Sequence, residues 1–196
     1  MYSVELCAGA GGQAIGLEHA GFEHTALVEI DKHACATLRA NRPSWNVVEG
    51  DLASFDGRPF LGAELLAGGL PCPPFSKAGK QLGAADERNL FPEAIRLADE
   101  IKPQAIMIEN VRGLLDPVFA DYRKWIAQEL KKLGFDEPRW NLLQASDFGV
   151  PQLRPRVLMV ALRKKFSGKF SWPSARKGSA PTVGEALRPL MAADGW

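Results

Sequence analysis

The sequence of 196 residues is poor in cysteine and histidine and lacks a long apolar run. Its three cysteines and three histidines follow no metal-ligand spacing, and the odd number of cysteines does not suggest a disulfide framework. No apolar stretch approaches the ~20 residues that a membrane span needs, and the N-terminus lacks the basic and apolar segments of a signal peptide. We therefore predict a cytoplasmic protein with no metal site and no membrane contact.

The sequence also lacks an excess of charge of either sign. Lysine and arginine number 24, aspartate and glutamate number 23, and the formal net charge is +1. No overall basic field attracts a polyanion, so any contact with nucleic acid has to be local or to lie on another chain. The length and the 46% of hydrophobic residues suffice for one substantial core.

Short apolar segments alternate with helical patterns through most of the chain. The predicted strands are SVELCAG, TALVEID, NVVEGDL, AELLAGG, AIMIENV and RVLMVAL, and the predicted helices are QAIGLEHAG, KHACATLRAN, 88–101 and 118–133. This order predicts an α/β fold with a doubly wound, mostly parallel sheet. Beyond residue 163 the pattern decays, so we predict a domain over 1–163 and an extension or linker over 164–196.

The glycine-rich segment ELCAGAGGQA is predicted to end a strand and begin a helix. Gly9, Gly11 and Ala14 fit the dinucleotide fingerprint G-x-G-x-x-G/A, and Glu29 ends the next strand, where a carboxylate binds ribose hydroxyls. Asp51 ends the third strand, where it can accept a hydrogen bond from an adenine amino group. Taken singly, Glu29 and Asp51 are each more simply interpreted as residues that cap a helix or a turn. Three such features at successive strand ends favour a nucleoside cofactor, either NAD or S-adenosylmethionine.

A cysteine and a glutamate follow two further strands. Cys72 lies between two prolines after AELLAGG, and Glu109 ends AIMI, so both are predicted at the same edge of the sheet. Arg154 and Arg156 in PQLRPR, two residues apart on a predicted strand, share a face and can supply the positive field that favours a thiolate. The alternatives are a packed, apolar role for Cys72 and capture of Glu109 by backbone amides.

Together these motifs resemble those of the cytosine-C5 DNA methyltransferases. ELCAGAGG resembles the cofactor glycine motif of this family, LPCPPFS its Pro-Cys nucleophile motif, GKQ its catalytic loop, ENV its glutamate motif and FGVPQLRPRV its Gln-x-Arg-x-Arg motif. They occur in the order of the family between about residues 2 and 163. Cys7 stands where a phenylalanine often flanks adenine, and Pro73 stands where a glutamine usually follows the nucleophile. The resemblance implies a Rossmann-like fold that binds S-adenosylmethionine.

The resemblance also implies a mechanism. The Cys72 thiolate adds to C6 of a flipped-out cytosine while Glu109 contacts N3 and the exocyclic amine, and C5 takes the methyl group from S-adenosylmethionine. Arg156 then contacts the base carbonyl, and Arg154 steadies a loop or a phosphate. The loop over the nucleotide holds Ser76, Lys77 and Gln81. The implied cofactor residues are Leu6, Cys7, Ala8, Gly9, Gly11, Gly12, Glu29, Ile30, Asp51, Leu52 and Pro71.

The implied function is that of a DNA (cytosine-5-)-methyltransferase, EC 2.1.1.37, which acts on duplex DNA at the nucleoid in a restriction-modification system. Complete members also carry a target-recognition region and a final helix that returns to the cofactor. The segment PTVGEALRPL resembles the part just before that region, so we predict the catalytic part of a split or truncated enzyme, with a second chain as a partner. The alternatives are a tRNA cytosine-C5 methyltransferase, an inactive binding subunit and an NAD-linked oxidoreductase.

Overall fold

The structure is a computed structural model that describes residues 1–71, 89–176 and 178–191. The strands are β1 (Tyr2–Leu6), β2 (Glu23–Glu29), β3 (Val47–Glu49), β4 (Leu65–Gly69), β5 (Ala105–Val111), β6 (Arg139–Gln144) and β7 (Pro155–Leu162). The α-helices are α1 (Gly12–His19), α2 (Lys32–Asn41), α3 (Phe91–Ile101), α4 (Ala120–Lys132) and α5 (Val183–Met191). In these described residues, no helix has the length and apolar character needed to cross a membrane.

The strands form one sheet in the order β3-β2-β1-β4-β5-β7-β6. Strands β1 to β5 pair in parallel, whereas β7 runs antiparallel to both β5 and β6. The predicted mostly parallel, doubly wound sheet is therefore confirmed. Strand β6 was not predicted, because its six residues RWNLLQ lie at the sheet edge and none of them is fully buried.

Helices cover both faces of the sheet. Val4 of β1 belongs to the cluster that contains Leu97 of α3 and Ile126 of α4. Leu27 of β2 packs on the opposite face with Ala14 of α1 and with α2. Alternate residues of each parallel strand thus face different helices, as the two-residue period of a strand requires. Along the chain, β1 is followed by β2 on one side of it in the sheet, whereas β4 is followed by β5 on the other side, so the strand order reverses between β1 and β4, which is where ligands bind in such sheets.

The first residues after the predicted boundary at 163 remain attached to the sheet. Arg139 of β6 donates hydrogen bonds to the carbonyl oxygens of Ser167 and Phe170, the latter at 2.8 Å. Arg163 donates to the carbonyl oxygens of Pro103 and Leu133 at 2.9 Å. Helix α5 is different, because each of its residues is exposed. The division into a domain and an extension stays a prediction.

Candidate active site

The glycine-rich turn between β1 and α1 is held in an unusual backbone conformation. Cys7, Gly9 and Gly11 all have left-handed φ angles, of 52°, 54° and 92°. A side chain at Gly11 would also place its Cβ 2.7 Å from Leu38, so glycine is required there on both grounds. The turn leaves the amides at the start of α1 facing the sheet edge, which is a suitable environment for a polar or anionic ligand.

Glu29 holds this turn against the end of β2. Its Oε2 accepts a hydrogen bond from the Gly9 amide at 2.7 Å. Its Oε1 accepts from the amides of Ile30 and Asp31 at 2.9 and 2.8 Å. The capping interpretation of this acid is therefore correct. A carboxylate has about four lone-pair sites, so these three bonds leave one acceptor position for a ribose hydroxyl, and that contact stays a prediction.

Asp51 also caps the chain locally, since its Oδ1 accepts from the Ala53 amide at 2.9 Å at the start of a short 3-10 helix.

Burial raises the pKa of the Cys7 thiol to about 12, and repulsion from the Glu29 and Asp51 carboxylates adds to this. The ends of β1, β2 and β3 therefore converge on one region. A raised pKa makes the Cys7 thiol a poorer nucleophile than a free thiol at neutral pH.

The remaining predicted cofactor residues differ in exposure. Three of these side chains are buried and help to hold the strand ends in place, namely Leu6, Ala8 and Leu52. Ile30 is 68% exposed, which leaves an apolar side chain on the surface beside Glu29. Pro71 is half-buried and is the last described residue before 72–88. Isolated exposed apolar residues are common, so the cofactor contact of Ile30 stays a prediction.

Glu109 and Arg156 form an ion pair across strands β5 and β7. Glu109 Oε1 lies 2.7 Å from Arg156 Nε, and each side chain is about one quarter exposed. The N–H of Arg156 is not aimed at this oxygen, so Nε has no hydrogen-bond partner in the described chain. Its Nη1 donates to the Pro155 carbonyl at 2.9 Å. Arg154 is exposed and does not join the pair, although it lines the same pocket as Glu109.

An open pocket of about 630 Å³ connects the glycine-rich turn to Glu109. Its lining comes from β1, α1 and the ends of β4, β5 and β7, and includes Glu5, Cys7, Gln13, Gly69, Glu109 and Arg154. Three buried polar atoms at or beside this pocket have no hydrogen-bond partner within residues 1–71, 89–176 and 178–191: Glu5 Oε2, Gln13 Nε2 and Arg156 Nε. Buried polar atoms are rarely left unpaired, so their concentration here indicates a place for a ligand.

Sequence reasoning missed Glu5 and Gln13. Glu5 is 1% exposed, and burial raises its pKa to about 8, partly opposed by a hydrogen bond from the Ala14 amide. It is therefore mostly protonated at neutral pH. A charged residue inside the apolar strand YSVEL was the available signal for Glu5. Gln13 gave no signal, because a glutamine in the first turn of a helix usually faces solvent.

Four predicted site residues lie outside the described residues, namely Cys72, Ser76, Lys77 and Gln81. Among the residues that are described, no group of histidine, cysteine, aspartate or glutamate side chains is arranged to hold a metal ion.

Known proteins share both the motifs and the fold of this chain. The type II methyltransferase M.NgoMIV of Neisseria gonorrhoeae is 60% identical over 194 residues, and M.NaeI of Lentzea aerocolonigenes is 58% identical over 196 residues. These alignments cover 99% and 98% of this chain but only 62% and 47% of the relatives, so the chain spans about half of their length. M.AquIA of Picosynechococcus is 34% identical, and the alignment covers 95% of this chain and 83% of M.AquIA.

A solved structure supports the same relationship. The E. coli prophage protein described as a DNA modification methyltransferase superposes with a TM-score of 0.75 at 26% identity, over 95% of this chain and 54% of that one. The family model for C-5 cytosine-specific DNA methylases matches residues 1–193. This match gives the NAD-linked alternative no support. From the order of its motifs, its sheet topology and these comparisons, the chain belongs to the C-5 cytosine-specific DNA methylase family.

Proposed function

We propose that this chain transfers a methyl group from S-adenosylmethionine to C5 of cytosine in duplex DNA, as an enzyme of class EC 2.1.1.37. The observation that carries this proposal is a pocket whose wall includes both the glycine-rich turn and Glu109, the partner of Arg156. Such a pocket gives a cofactor at the strand ends access to a base beside Glu109.

The residues at the strand ends fit an adenosine-containing cofactor. Glu29 retains one acceptor position for a ribose hydroxyl, and we expect Asp51 to accept from the adenine amino group through Oδ2, because Oδ1 serves Ala53. The exposed Ile30 offers an apolar contact to the adenine ring. The left-handed glycines of the turn, Gly9 and Gly11, let the backbone approach the other end of the cofactor closely. When bound, S-adenosylmethionine supplies the methyl group.

Glu109 and Arg156 match the polar edge of cytosine. Glu109 accepts a hydrogen bond from the exocyclic amine and contacts N3, while the guanidinium of Arg156, held beside Glu109 by the ion pair, donates to the base carbonyl. The Cys72 thiolate forms a bond to C6, and the electrons of the C5–C6 double bond make C5 nucleophilic. After methylation, loss of the C5 proton restores the double bond, and the bond between sulfur and C6 breaks. Arg154 steadies the phosphate or the loop that holds Ser76, Lys77 and Gln81.

We further propose that target recognition lies outside this chain, on a partner chain or on a part that the longer relatives carry. The alignment with M.AquIA covers 83% of that protein, so this relative is only slightly longer than the part that it shares with this chain. Helix α5 supports the proposal, because Val183, Leu187 and Leu190 form an exposed apolar stripe that a partner would cover. The place of action is then the cytoplasm, at the nucleoid, within a restriction-modification system.

A substitution at Glu29 tests the cofactor site. We expect Glu29→Gln to weaken binding of S-adenosylhomocysteine by about tenfold or more, because a glutamine amide has only one acceptor oxygen and turns an N–H toward a backbone amide that now donates to Glu29. Calorimetric titration measures this affinity. Glu129→Gln, on α4 and paired with Lys132, is the matched control and should bind as the wild type does. Equal affinity of both variants would remove Glu29 from the cofactor site.

The reaction itself is tested by transfer of a tritiated methyl group to duplex DNA and to tRNA transcripts in parallel. The proposal expects label in DNA that is recovered as 5-methylcytosine. Label in RNA alone would replace DNA by tRNA as the substrate. If binding of S-adenosylhomocysteine persists without label in either polymer, after a partner part of M.NgoMIV has been added, the chain is an inactive binding subunit.

A further inference from the structure

Two of the unpaired polar atoms in the pocket have complementary chemistry. Glu5 is almost fully buried on β1, and one of its oxygens accepts the amide hydrogen of Ala14 while Oε2 has no partner in the described chain. Gln13, the residue just before Ala14, carries the unpaired donor Nε2. Leaving such groups unpaired costs about 1–3 kcal/mol each. A structure that keeps both beside one pocket therefore uses them in some contact.

The side chains of Gln13 and Glu109 both border the position of Gly69 and both line the pocket. A Cβ atom built on Gly69 would lie 3.9 Å from Gln13 Oε1 and 3.7 Å from Glu109 Oε2, so both oxygens face the space that the missing side chain leaves open. Two acceptor oxygens that face one space lack a donor between them. Rotation of the Gln13 amide by about 180° exchanges its oxygen and nitrogen and supplies that donor. Glu109 Oε1 is already occupied by Arg156.

We propose that Gln13 is a positioning residue for Glu109, because its side-chain amide bridges the buried Glu5 to the free oxygen of that carboxylate. In this bridge the Glu5 hydroxyl donates to Gln13 Oε1, and Gln13 Nε2 donates to Glu109 Oε2. With Arg156 on Oε1, both oxygens of Glu109 are then fixed, and the plane of the carboxylate is set before a base enters. The assignment of this role rests on the proposed function of Glu109 as the group that contacts cytosine.

The surroundings of Glu5 allow this arrangement near neutral pH. Cys7, Glu109 and Arg154 are the other titratable or charged groups of the pocket wall, and Arg156 lies behind Glu109. From β2, His24 contacts the Ala14 carbonyl and the Ser3 hydroxyl at 2.9 Å each. Burial raises the pKa of Glu5, so its carboxyl group keeps the proton that the bridge requires.

The first test needs no variant of the site. In the wild-type chain, we expect the Nε2 protons of Gln13 to exchange with solvent at least about tenfold more slowly than those of Gln128, an exposed glutamine on α4. Nuclear magnetic resonance of the side-chain amides measures both rates. Slow exchange of Gln13 supports the bridge, and equal rates for the two glutamines would overturn it.

The second test separates this contact from general packing. Gln13→Leu should raise the unfolding equilibrium constant of the wild type by about fivefold, but by less than about 1.5-fold in a Glu109→Met background, where the acceptor is gone. Gln128→Leu is the matched control and should act equally in both backgrounds. Urea unfolding supplies the constants. If Gln13→Leu has the same effect with and without Glu109, the proposed bridge does not exist.

The functional test compares the affinity for the cofactor product with the rate of methyl transfer. Gln13→Leu should lower the single-turnover rate of methyl transfer by about tenfold or more while the affinity for S-adenosylhomocysteine stays within about twofold. If the unfolding data show coupling between Gln13 and Glu109 but Gln13→Leu transfers methyl groups at the wild-type rate, Gln13 has no positioning role. If the wild type transfers no methyl group to DNA or RNA, the proposed function fails and the positioning role falls with it, although coupling still establishes the contact itself.

Discussion

Replacing Cys72 by serine is expected to lower the rate of methyl transfer to cytosine by on the order of 10⁴-fold or more. A serine hydroxyl is far less acidic than a thiol, so the anion that adds to C6 is essentially absent at neutral pH. Single-turnover transfer of a tritiated methyl group to duplex DNA measures the loss. Binding of S-adenosylhomocysteine should stay unchanged, because the predicted cofactor contacts come from the ends of β1, β2 and β3.

Cys35→Ser provides the control for this experiment. Cys35 is buried in α2, and its thiol donates to the Glu29 carbonyl at 3.4 Å, so it has a packing role. A hydroxyl can keep this hydrogen bond, and we expect methyl transfer within about threefold of the wild type. Cys7 is a poorer nucleophile than a free thiol, because burial raises its pKa to about 12. If the Cys72→Ser variant keeps the wild-type rate of methyl transfer, no cysteine remains that could act as the nucleophile, and the covalent mechanism is contradicted.

The second large effect is expected on stability. Glu5→Gln should stabilise the chain at about pH 9 by roughly 3–5 kcal/mol relative to the wild type, and should change little at about pH 4. Burial raises the pKa of Glu5 from 4.5 to about 8, so the native chain keeps a proton that the unfolded chain releases. The stability that this proton confers is complete below pH 4.5 and is lost as the pH rises through about 8. A glutamine stays neutral throughout this range.

Urea unfolding at several pH values measures this difference. The curves for the wild type and Glu5→Gln should diverge steadily between pH 4.5 and about 8, and then run parallel. Glu129→Gln is again the control, since Glu129 forms an exposed pair with Lys132 that contributes at most about 1 kcal/mol. Parallel curves over the whole range would mean that Glu5 is ionised in the native state.

The sequence predicts the elements that repeat a clear pattern. Strands β1 to β5 and β7 were found because each contains a short apolar run, and α3 begins at Phe91 near the predicted start because Pro92 suits the first turn. Strand β6 was missed because an edge strand needs few apolar residues. The antiparallel direction of β7 depends on how the chain returns after β6, which no local pattern records.

The candidate site was predictable in part. Glu29 and Asp51 were identified at strand ends, and their caps were anticipated as the alternative interpretation. The Glu109–Arg156 pair follows from register, since Arg156 pairs with Val111 and so lies diagonally opposite Glu109 on the same face. Gln13 was missed because only the tertiary structure brings the first turn of α1 across the end of β4 to Glu109. A sequence shows which residue types are present but not which wall of a pocket they form.

The most direct measurement of the central claim uses duplex DNA that carries 5-fluorocytosine. Fluorine at C5 blocks the final elimination, so a cysteine that adds to C6 stays attached to the base. The chain is incubated with this DNA and S-adenosylmethionine, alone and together with the part of M.NgoMIV that lies beyond the alignment. We predict an adduct that survives denaturing electrophoresis and maps to the peptide with Cys72. Binding of S-adenosylmethionine without an adduct in either mixture, or an adduct at Cys7 or Cys35, would contradict the account.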